Sequence, residues 1–335
     1  MRFPAPRVPD LRLAATAQPL AALVRGPLVE SVHLGHLVVT GPGGEVLASR
    51  GDPSALLWPR SALKPLQAVA LVQAGLDLSG DLDLLALAAA SHSGEPAHLE
   101  GVRRLLARAG LDEAALRNTP DLPLDPDVAA AWRAQGRGPS SLAQNCSGKH
   151  AAMLAASAAA DWDPASYLDL GHPVQRQVRA TVAELTGERE RATTVDGCGT
   201  PLLATSLTGL ARAYGRIATA PAGTAPGQVA AAVRAHPHLL GGTGRDVTAL
   251  VAGVPGLVAK DGAEGVCAAA LDDGRAVALK VLDGSARARP VVLAAVLRRL
   301  GVAAPALDEV GDVRVLGHGR PVGALTAVLP PDLLA

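Results

Sequence analysis

A serine and a lysine lie three positions apart in the segment 60–64 (RSALK), as Ser61 and Lys64. At that spacing two side chains share one face of a helix, so a lysine with a lowered pKa can accept the hydroxyl proton. A free lysine, with a pKa near about 10.4, must lose about 3 units, or about 4 kcal/mol, to do this near neutrality. Backbone N–H groups at a helix entrance can also hold an oxyanion. The pair predicts a nucleophilic serine, although a capping serine and a surface lysine explain many such pairs.

A second polar segment, 90–95 (ASHSGE), follows the apolar run 84–90 and contains Ser91. A polar break at the end of a buried helix favours the edge of a pocket. A helix end followed by a cap before Pro96 explains the same residues equally well.

A third element is Lys260, which ends an apolar stretch before Asp261 and Gly262. Such a lysine is typical of a solvated strand edge. After an S-x-x-K helix, its position also resembles the Lys-Thr-Gly strand of serine β-lactamases and penicillin-binding proteins. Asp261 replaces the threonine here, and a clear Ser-Asp-Asn element is missing, which argues against a β-lactam substrate.

Two cysteine segments carry groups that bind metals. Residues 145–150 (NCSGKH) bring a thiol, a hydroxyl, an amine and an imidazole within two helical turns, and residues 196–201 (DGCGTP) place Cys198 between glycines. We expect the backbone around Cys198 to be tight and exposed, and we expect Thr200 and Pro201 to open a helix. Cys146 and Cys198 can supply two thiolates to zinc, with the amine or the imidazole as a third ligand. The spacing matches no zinc-finger rule, so a helix entrance with an inward-packed Cys146 stays open as the alternative.

Apolar periodicity predicts the elements that position these motifs. Alternation typical of strands is confined to the two ends of the chain, at 32–40, 46–49, 257–260, 265–271 and 275–282. Helical spacing fills most of the middle and returns once after the last strand, at 61–75, 82–90, 97–109, 128–134, 149–159, 174–186, 200–214, 228–235, 246–252 and 290–300.

This order predicts an α/β fold in which both chain ends form one antiparallel sheet and a large helical middle covers it. We expect an N-terminal extension at 1–26 and a single domain at 27–335, with the sheet from about 27–58 and 255–335 and the helical part at about 59–254. A βαβ repeat and a dinucleotide glycine fingerprint are missing, which excludes a Rossmann fold.

Composition narrows the class of function. Of the 335 residues 49% are apolar, enough for a large core, and the 31 basic residues balance the 31 acidic ones. No net charge attracts nucleic acid or acidic membranes, and the apolar runs are too short to span a bilayer. Three cysteines cannot form a closed disulfide framework, and the third, Cys267, lies in an alternating segment typical of a core strand. We expect a soluble cytoplasmic protein without nucleic-acid or membrane partners.

Taken in order, the motifs resemble the rhizobial-type (class 3, asparaginase II) L-asparaginases. The matching segments are RSALKPLQA at 60–68, ASHSGE at 90–95, NCSGKHAAM at 145–153, DGCGTP at 196–201 and LVAKDGAEGV at 257–266. The likeness spans roughly residues 27 to 325. It implies a serine β-lactamase/glutaminase-like fold, a homodimer, and hydrolysis of L-asparagine to L-aspartate and ammonia.

The resemblance also implies roles for individual residues. Ser61 and Lys64 match the first Ser-Lys pair of the family, and Ser91 and Lys260 match the second. The segments that match a zinc site beside the pocket contribute Cys146, Lys149 and Cys198, and those that match substrate-binding positions contribute Asp196, Glu95 and His150.

The sequence leaves two other classes of function open. One is a glutaminase or β-lactamase-like serine acyltransferase on the same fold. The other is a non-catalytic, zinc-bearing amino-acid-binding protein, although a binding module has no need of two Ser-Lys pairs. The residues also leave open whether Ser61 or Ser91 is the nucleophile.

Overall fold

The main sheet joins the two ends of the chain. The computed structural model describes residues 11–334. Its strands are β1 (Gln18–Arg25), β2 (Leu28–Thr40), β3 (Val46–Arg50), β4 (Leu56–Leu57), β5 (Thr193–Val195), β6 (Pro201–Leu203), β7 (Thr205–Ser206), β8 (Val258–Gly262), β9 (Val266–Ala270), β10 (Ala276–Val281), β11 (Val313–Gly317) and β12 (Arg320–Ala327). Eight of them form an antiparallel sheet in the order β11-β12-β1-β2-β10-β9-β8, with β3 also paired to β2. The predicted sheet from both chain ends is confirmed.

Helices occupy most of the chain between these ends. They are α1 (Arg12–Ala15), α2 (Lys64–Gln73), α3 (Leu82–Ala88), α4 (Pro96–Arg108), α5 (Pro126–Ala134), α6 (Ser147–Ala159), α7 (Pro173–Thr186), α8 (Leu207–Thr219), α9 (Ala225–Ala235), α10 (Pro237–Leu240), α11 (Asp246–Gly253), α12 (Ala288–Arg299) and α13 (Pro305–Gly311). No helix in the described range 11–334 is long and apolar enough to cross a membrane.

The core lies on both faces of the central strands. Every residue of β8 and β9 is buried, and so are five of the six in β10. Because successive side chains of a strand point to opposite faces, this burial requires cover on both sides. Helix α8 packs on β2, β9 and β10, and α12 packs on β10, β1 and β12. The central strands are therefore a rigid platform for any side chain at their ends.

The sheet begins earlier in the chain than the sequence predicted. Strand β1 lies between β12 and β2, with Ala22 opposite both Val32 and Thr326. Residues 18–25 therefore belong to the sheet and not to a separate extension, while residues 1–10 lie outside the described part of the chain. The apolar run in β1 is too short for periodicity alone to assign it to a strand.

One predicted helix, 200–214, is wrong at its start. Residues 201–203 form β6, which pairs with β5, and β7 pairs with β4 before α8 begins at Leu207. The Ser206 hydroxyl accepts a hydrogen bond from the Gly209 N–H at 2.9 Å and caps α8. Short apolar runs suit a buried strand and a buried helix equally, so only the pairing partner decides.

The position of β1 in the core can be tested with two leucines. Leu20 is fully buried, whereas 70% of Leu28 is exposed. We expect Leu20→Ala to lower the free energy of unfolding by about 2–5 kcal/mol because it leaves a cavity. The control Leu28→Ala should change it by less than about 0.5 kcal/mol. Chemical denaturation measures both, and equal effects would contradict a core position for β1.

Candidate active site

A cavity of about 210 Å³ brings together segments that are far apart in sequence. A 3₁₀ turn (Arg60–Leu63) contributes Ser61, the segment after α3 contributes Ser91, and the residue before α11 contributes Arg245. The remaining lining residues are Leu124, Asn145, Asp261, Gly262, Ala263, Glu264, Gly265, Gly284, Ala286 and Arg289. Both serines that the sequence singled out therefore line one space.

Lys64, the first residue of α2, is buried and makes its contact with Ser91. Its Nζ donates to the Ser91 Oγ at 3.0 Å and to the carbonyl of Ala90. The sequence paired Lys64 with Ser61. The two residues are one 3₁₀ turn apart, which keeps them on the same side of the turn. Ser61 is partly exposed, whereas Ser91 is buried, so the two residues differ in their exposure to solvent.

Lys260 lies on β8, at the edge of the sheet, but is completely buried there. The 3₁₀ turn and α11 both pack on β8, so the solvated edge considered from the sequence is wrong. Its Nζ donates to the Asp261 carbonyl at 2.7 Å and to the Asp261 carboxylate. Burial lowers the pKa of Lys260 to about 8, while the Asp261 carboxylate opposes the shift and the nearby Lys64 adds to it. A lysine with such a pKa exchanges protons readily near neutrality.

Asp261 organises the cations around the cavity, and sequence reasoning did not assign it a role. Its Oδ2 accepts a hydrogen bond from Arg245 at 2.8 Å, and Arg289 lies 3.6 Å from the same oxygen. Burial alone would raise the pKa of Asp261, but Lys260 and the two arginines hold it far below its usual range. Sequence reasoning also assigned no role to Arg245, because it ends a Gly-rich segment that indicates only a turn.

A second buried cluster holds the predicted metal ligands. Lys149 is in the first turn of α6, and its Nζ donates to the Cys198 Sγ at 3.3 Å and to the Thr200 Oγ1 at 2.7 Å. Cys146 immediately precedes α6 and contacts Cys198. Cys198 is only 2% exposed, so the exposed backbone predicted for it is wrong. Its loop is tight, with Gly199 at a positive φ, and Lys149 of α6 contacts it.

The protonation states of this cluster favour a cation. A hydrogen bond from Cys146 holds the pKa of Cys198 far below its usual range against the opposing effect of burial, and Lys149 and His150 lower it further. The pKa of Cys146 is correspondingly raised. Burial lowers the pKa of His150 to about 4, so its imidazole is neutral at pH 7. Cys198 is thus a thiolate, the form in which cysteine binds zinc, whereas Cys146 and Lys149 would have to lose a proton to bind the ion.

Part of the donor set that zinc uses is present, although no group of three or more His, Cys, Asp or Glu side chains in residues 11–334 is arranged to hold a metal ion. Two sulfurs and the Lys149 amine converge, and the neighbouring His150 Nε2 is buried without a hydrogen-bond partner among the described residues. The His150 Nδ1 is bonded to the Tyr167 hydroxyl at 2.7 Å, which fixes the ring as an outer partner would. The pKa of Lys149 is raised overall: burial lowers it, but Cys198 and Cys146 outweigh burial. Binding of zinc through Lys149 would therefore require the ion to displace a firmly held proton.

The residues between the two clusters shape the backbone. A Cβ on Gly148 would lie 2.4 Å from the Leu87 carbonyl oxygen, so glycine lets α6 approach α3 closely. The Ser147 hydroxyl donates to the Leu142 carbonyl at 2.8 Å and is bonded to the His92 Nε2, also at 2.8 Å. The His92 N–H donates to the Asn145 carbonyl at 3.1 Å. These bonds fix the segment that carries Ser91 against the one that carries Cys146.

The three predicted substrate-binding residues do not line the cavity of Ser61 and Ser91, which we call the serine cavity. His150 belongs to the cysteine cluster. Asp196 pairs with the Arg60 Nε at 2.7 Å and lines a separate cavity of about 540 Å³. Glu95 caps α4 and accepts a hydrogen bond from the Thr243 N–H at 2.7 Å. Polar residues in one motif need not face one space, and sequence spacing does not show which way each points.

The sequence profile of the L-asparaginase II family matches residues 21–327. The chain belongs to the L-asparaginase II family. The match begins within β1 and ends with β12, and it includes every segment that lines the cavity of Ser61 and Ser91 or contributes to the cysteine cluster. The family assignment anticipated from the motifs is thus confirmed.

Other comparisons add little to this L-asparaginase II family assignment. A search of curated proteins found no match. Among solved structures, the chain is similar to a β-lactamase from Mycobacterium bovis, at 16% identity over 79% of this chain and 94% of that chain, with a TM-score of 0.45. A likeness this distant carries no conclusion about the reaction.

Proposed function

We propose that the protein is an amidohydrolase that converts L-asparagine and water to L-aspartate and ammonia through a serine ester. The observation that carries the proposal is the single cavity lined by Ser61 and Ser91, with the Lys64 amine bonded to Ser91. Membership in the L-asparaginase II family supports the substrate. The homodimer and the cytoplasmic location expected from the sequence stay predictions.

Ser61 is the proposed nucleophile because it is the more exposed of the two serine residues that line the cavity. Its Oγ attacks the side-chain amide carbon, and its proton passes through Ser91 to Lys64. The carbon–nitrogen bond then breaks, and the nitrogen leaves as ammonia after taking up a proton. Water hydrolyses the ester, which regenerates the Ser61 hydroxyl and releases the carboxylic acid. Backbone N–H groups of the 3₁₀ turn are the proposed oxyanion donors.

Replacing the serines tests this assignment. We expect Ser61→Ala to lower kcat for ammonia release from L-asparagine by more than about 1,000-fold, because no covalent intermediate can form. Ser91→Ala should cost about 100-fold or more through loss of the proton relay. Ser79→Ala, on the exposed surface, is the matched control and should retain full activity.

Covalent labelling identifies the nucleophile directly. A diazoketone analogue of asparagine should label Ser61 in the wild type, as found by peptide mass mapping, and should leave Ser61→Ala unlabelled. A label on Ser91 would contradict the assignment. Parallel assays with L-glutamine and nitrocefin separate asparaginase from the two acyltransferase alternatives, and binding of asparagine without turnover would favour the amino-acid-binding protein.

We further propose that Cys146, Lys149 and Cys198 hold one zinc ion. The support is their convergence in a buried cluster that already favours a thiolate at Cys198. When bound, the cation would supply a fixed positive charge beside the cavity and lower the pKa of nearby acids. The imidazole of His150 lies beside the proposed ligands, and its hydrogen bond with the Tyr167 hydroxyl holds the ring in place.

Elemental analysis of protein purified without chelator tests the zinc site. We expect about one zinc per chain in the wild type and a loss of most of it in Cys146→Ser, since a thiolate ligand is removed. Cys267→Ser is the control, because Cys267 lies in the core strand β9 and should leave the metal content unchanged. Equal zinc in the wild type and Cys146→Ser would refute the site.

Lys260 is proposed to protonate the leaving ammonia, which requires its charged form. Because its pKa is about 8, that form is present below pH 8 and is lost as the pH rises through 8. We therefore expect kcat for L-asparagine to fall on the alkaline side of about pH 8. The Asp261 carboxylate raises the pKa of Lys260, so Asp261→Asn should move this limb to lower pH. The exposed Asp77→Asn is the control. If the alkaline fall in kcat stays at the same pH in Asp261→Asn, a group other than Lys260 causes it.

A further inference from the structure

Arg245 reaches into the serine cavity with part of its guanidinium uncommitted. Its Nη1 donates to the Ser91 carbonyl at 3.2 Å, and its Nη2 donates to the Asp261 Oδ2 at 2.8 Å. A guanidinium has five N–H donors, so these two bonds leave three without a hydrogen-bond partner among the described residues. The side chain is 22% exposed and lines the cavity, so its remaining donors are accessible to a ligand.

The second arginine of the cavity, Arg289, has a different role. Its Nη1 donates to the Gly262 carbonyl at 2.6 Å, and its Nη2 lies 3.6 Å from the Asp246 carboxylate. With a side chain only 9% exposed, it supports the backbone of the β8–β9 turn. Arg245 is therefore the arginine better placed to bind a ligand in the cavity.

The charge balance around the cavity also favours an anion. Lys260, Arg245 and Arg289 share two carboxylates, those of Asp261 and Asp246, which leaves one positive charge unmatched. The remaining acidic lining residue, Glu264, is exposed at the rim. A planar guanidinium held at two of its N–H groups presents the others in a fixed fork, the geometry that binds carboxylates.

We propose that Arg245 binds the α-carboxylate of the substrate and so restricts the enzyme to amides that carry a free carboxylate. The same guanidinium holds the Ser91 carbonyl, so the carboxylate is fixed relative to the reacting hydroxyls. This inference rests on the proposed function for the identity of the amide. It makes Arg245 a specificity-determining residue.

Paired substrates separate this role from structural support. L-Asparagine is compared with 3-aminopropanamide, which is asparagine without its carboxylate. We expect Arg245→Gln to lower kcat/KM for L-asparagine about 10- to 100-fold, mainly through KM, because a charged hydrogen-bonded contact is lost. Turnover of 3-aminopropanamide should change less than about threefold. Arg245→Lys keeps the charge and should recover part of the selectivity.

Arg234→Gln is the matched control. Arg234 also donates to backbone carbonyls, those of Gly256 and Ala218, but lies outside the cavity. It should leave the selectivity between the two amides unchanged. Equal losses for both substrates in Arg245→Gln would overturn the proposal and leave Arg245 a structural residue.

Calorimetric binding in the Ser61→Ala background keeps the inference independent of hydrolysis. L-Asparagine should bind about 10- to 100-fold more tightly than 3-aminopropanamide, and the added Arg245→Gln change should abolish the difference. If the wild type hydrolyses neither amide but this difference is found, the proposed function fails and the carboxylate site stands. If L-asparagine is hydrolysed while the two ligands bind equally, the carboxylate site fails and the proposed function stands.

Discussion

The pairing of β2 with β10 is the constraint on which the rest of the structure depends. It joins residues 35–40 to residues 276–281 and makes one sheet from the two ends of the chain. Through β9 it also sets the position of β8, which carries Lys260 and Asp261. The 3₁₀ turn that carries Ser61 packs on β8, so a sheet pairing of long sequence separation decides which side chains meet at the cavity. The helices that cover the sheet would not by themselves bring these side chains together at the cavity.

Burial of charge is the second constraint, and it explains the composition of the cavity. An unpaired charge in a protein interior costs several kcal/mol, so Lys260 requires the Asp261 carboxylate beside it. Two arginines then lie against the same carboxylate. Asp261 stands where the Lys-Thr-Gly strand of β-lactamases has a threonine, and this difference has a physical reason in this chain. The carboxylate of Asp261 stabilises the three cations that lie close to the two serines.

The sequence predicted those features that depend on local periodicity or on motif order. The sheet at both chain ends and most helices follow from period-2 and period-3.6 patterns, and the family follows from five ordered motifs. Contacts across the fold were not predictable. Lys64 lies three positions from Ser61, yet its amine bonds Ser91. Cys198 is buried in contact with Lys149 of α6, although its loop looked exposed in the sequence. Arg245 gave no signal, since its role depends on Asp261 sixteen positions away in the chain.

The two buried clusters form one connected polar interior. The His92 side chain bonds Ser147 and its N–H donates to the Asn145 carbonyl, so the backbone next to Ser91 is fixed to the start of α6. The charge of Lys64 also acts on Cys146, whose pKa it lowers against the larger effects of Cys198 and burial. The charge beside Ser91 thus acts on the cysteine cluster. Lys64 and Cys146 are both buried in an interior of low dielectric constant. Their electrostatic interaction is therefore screened far less than one between charges on the surface.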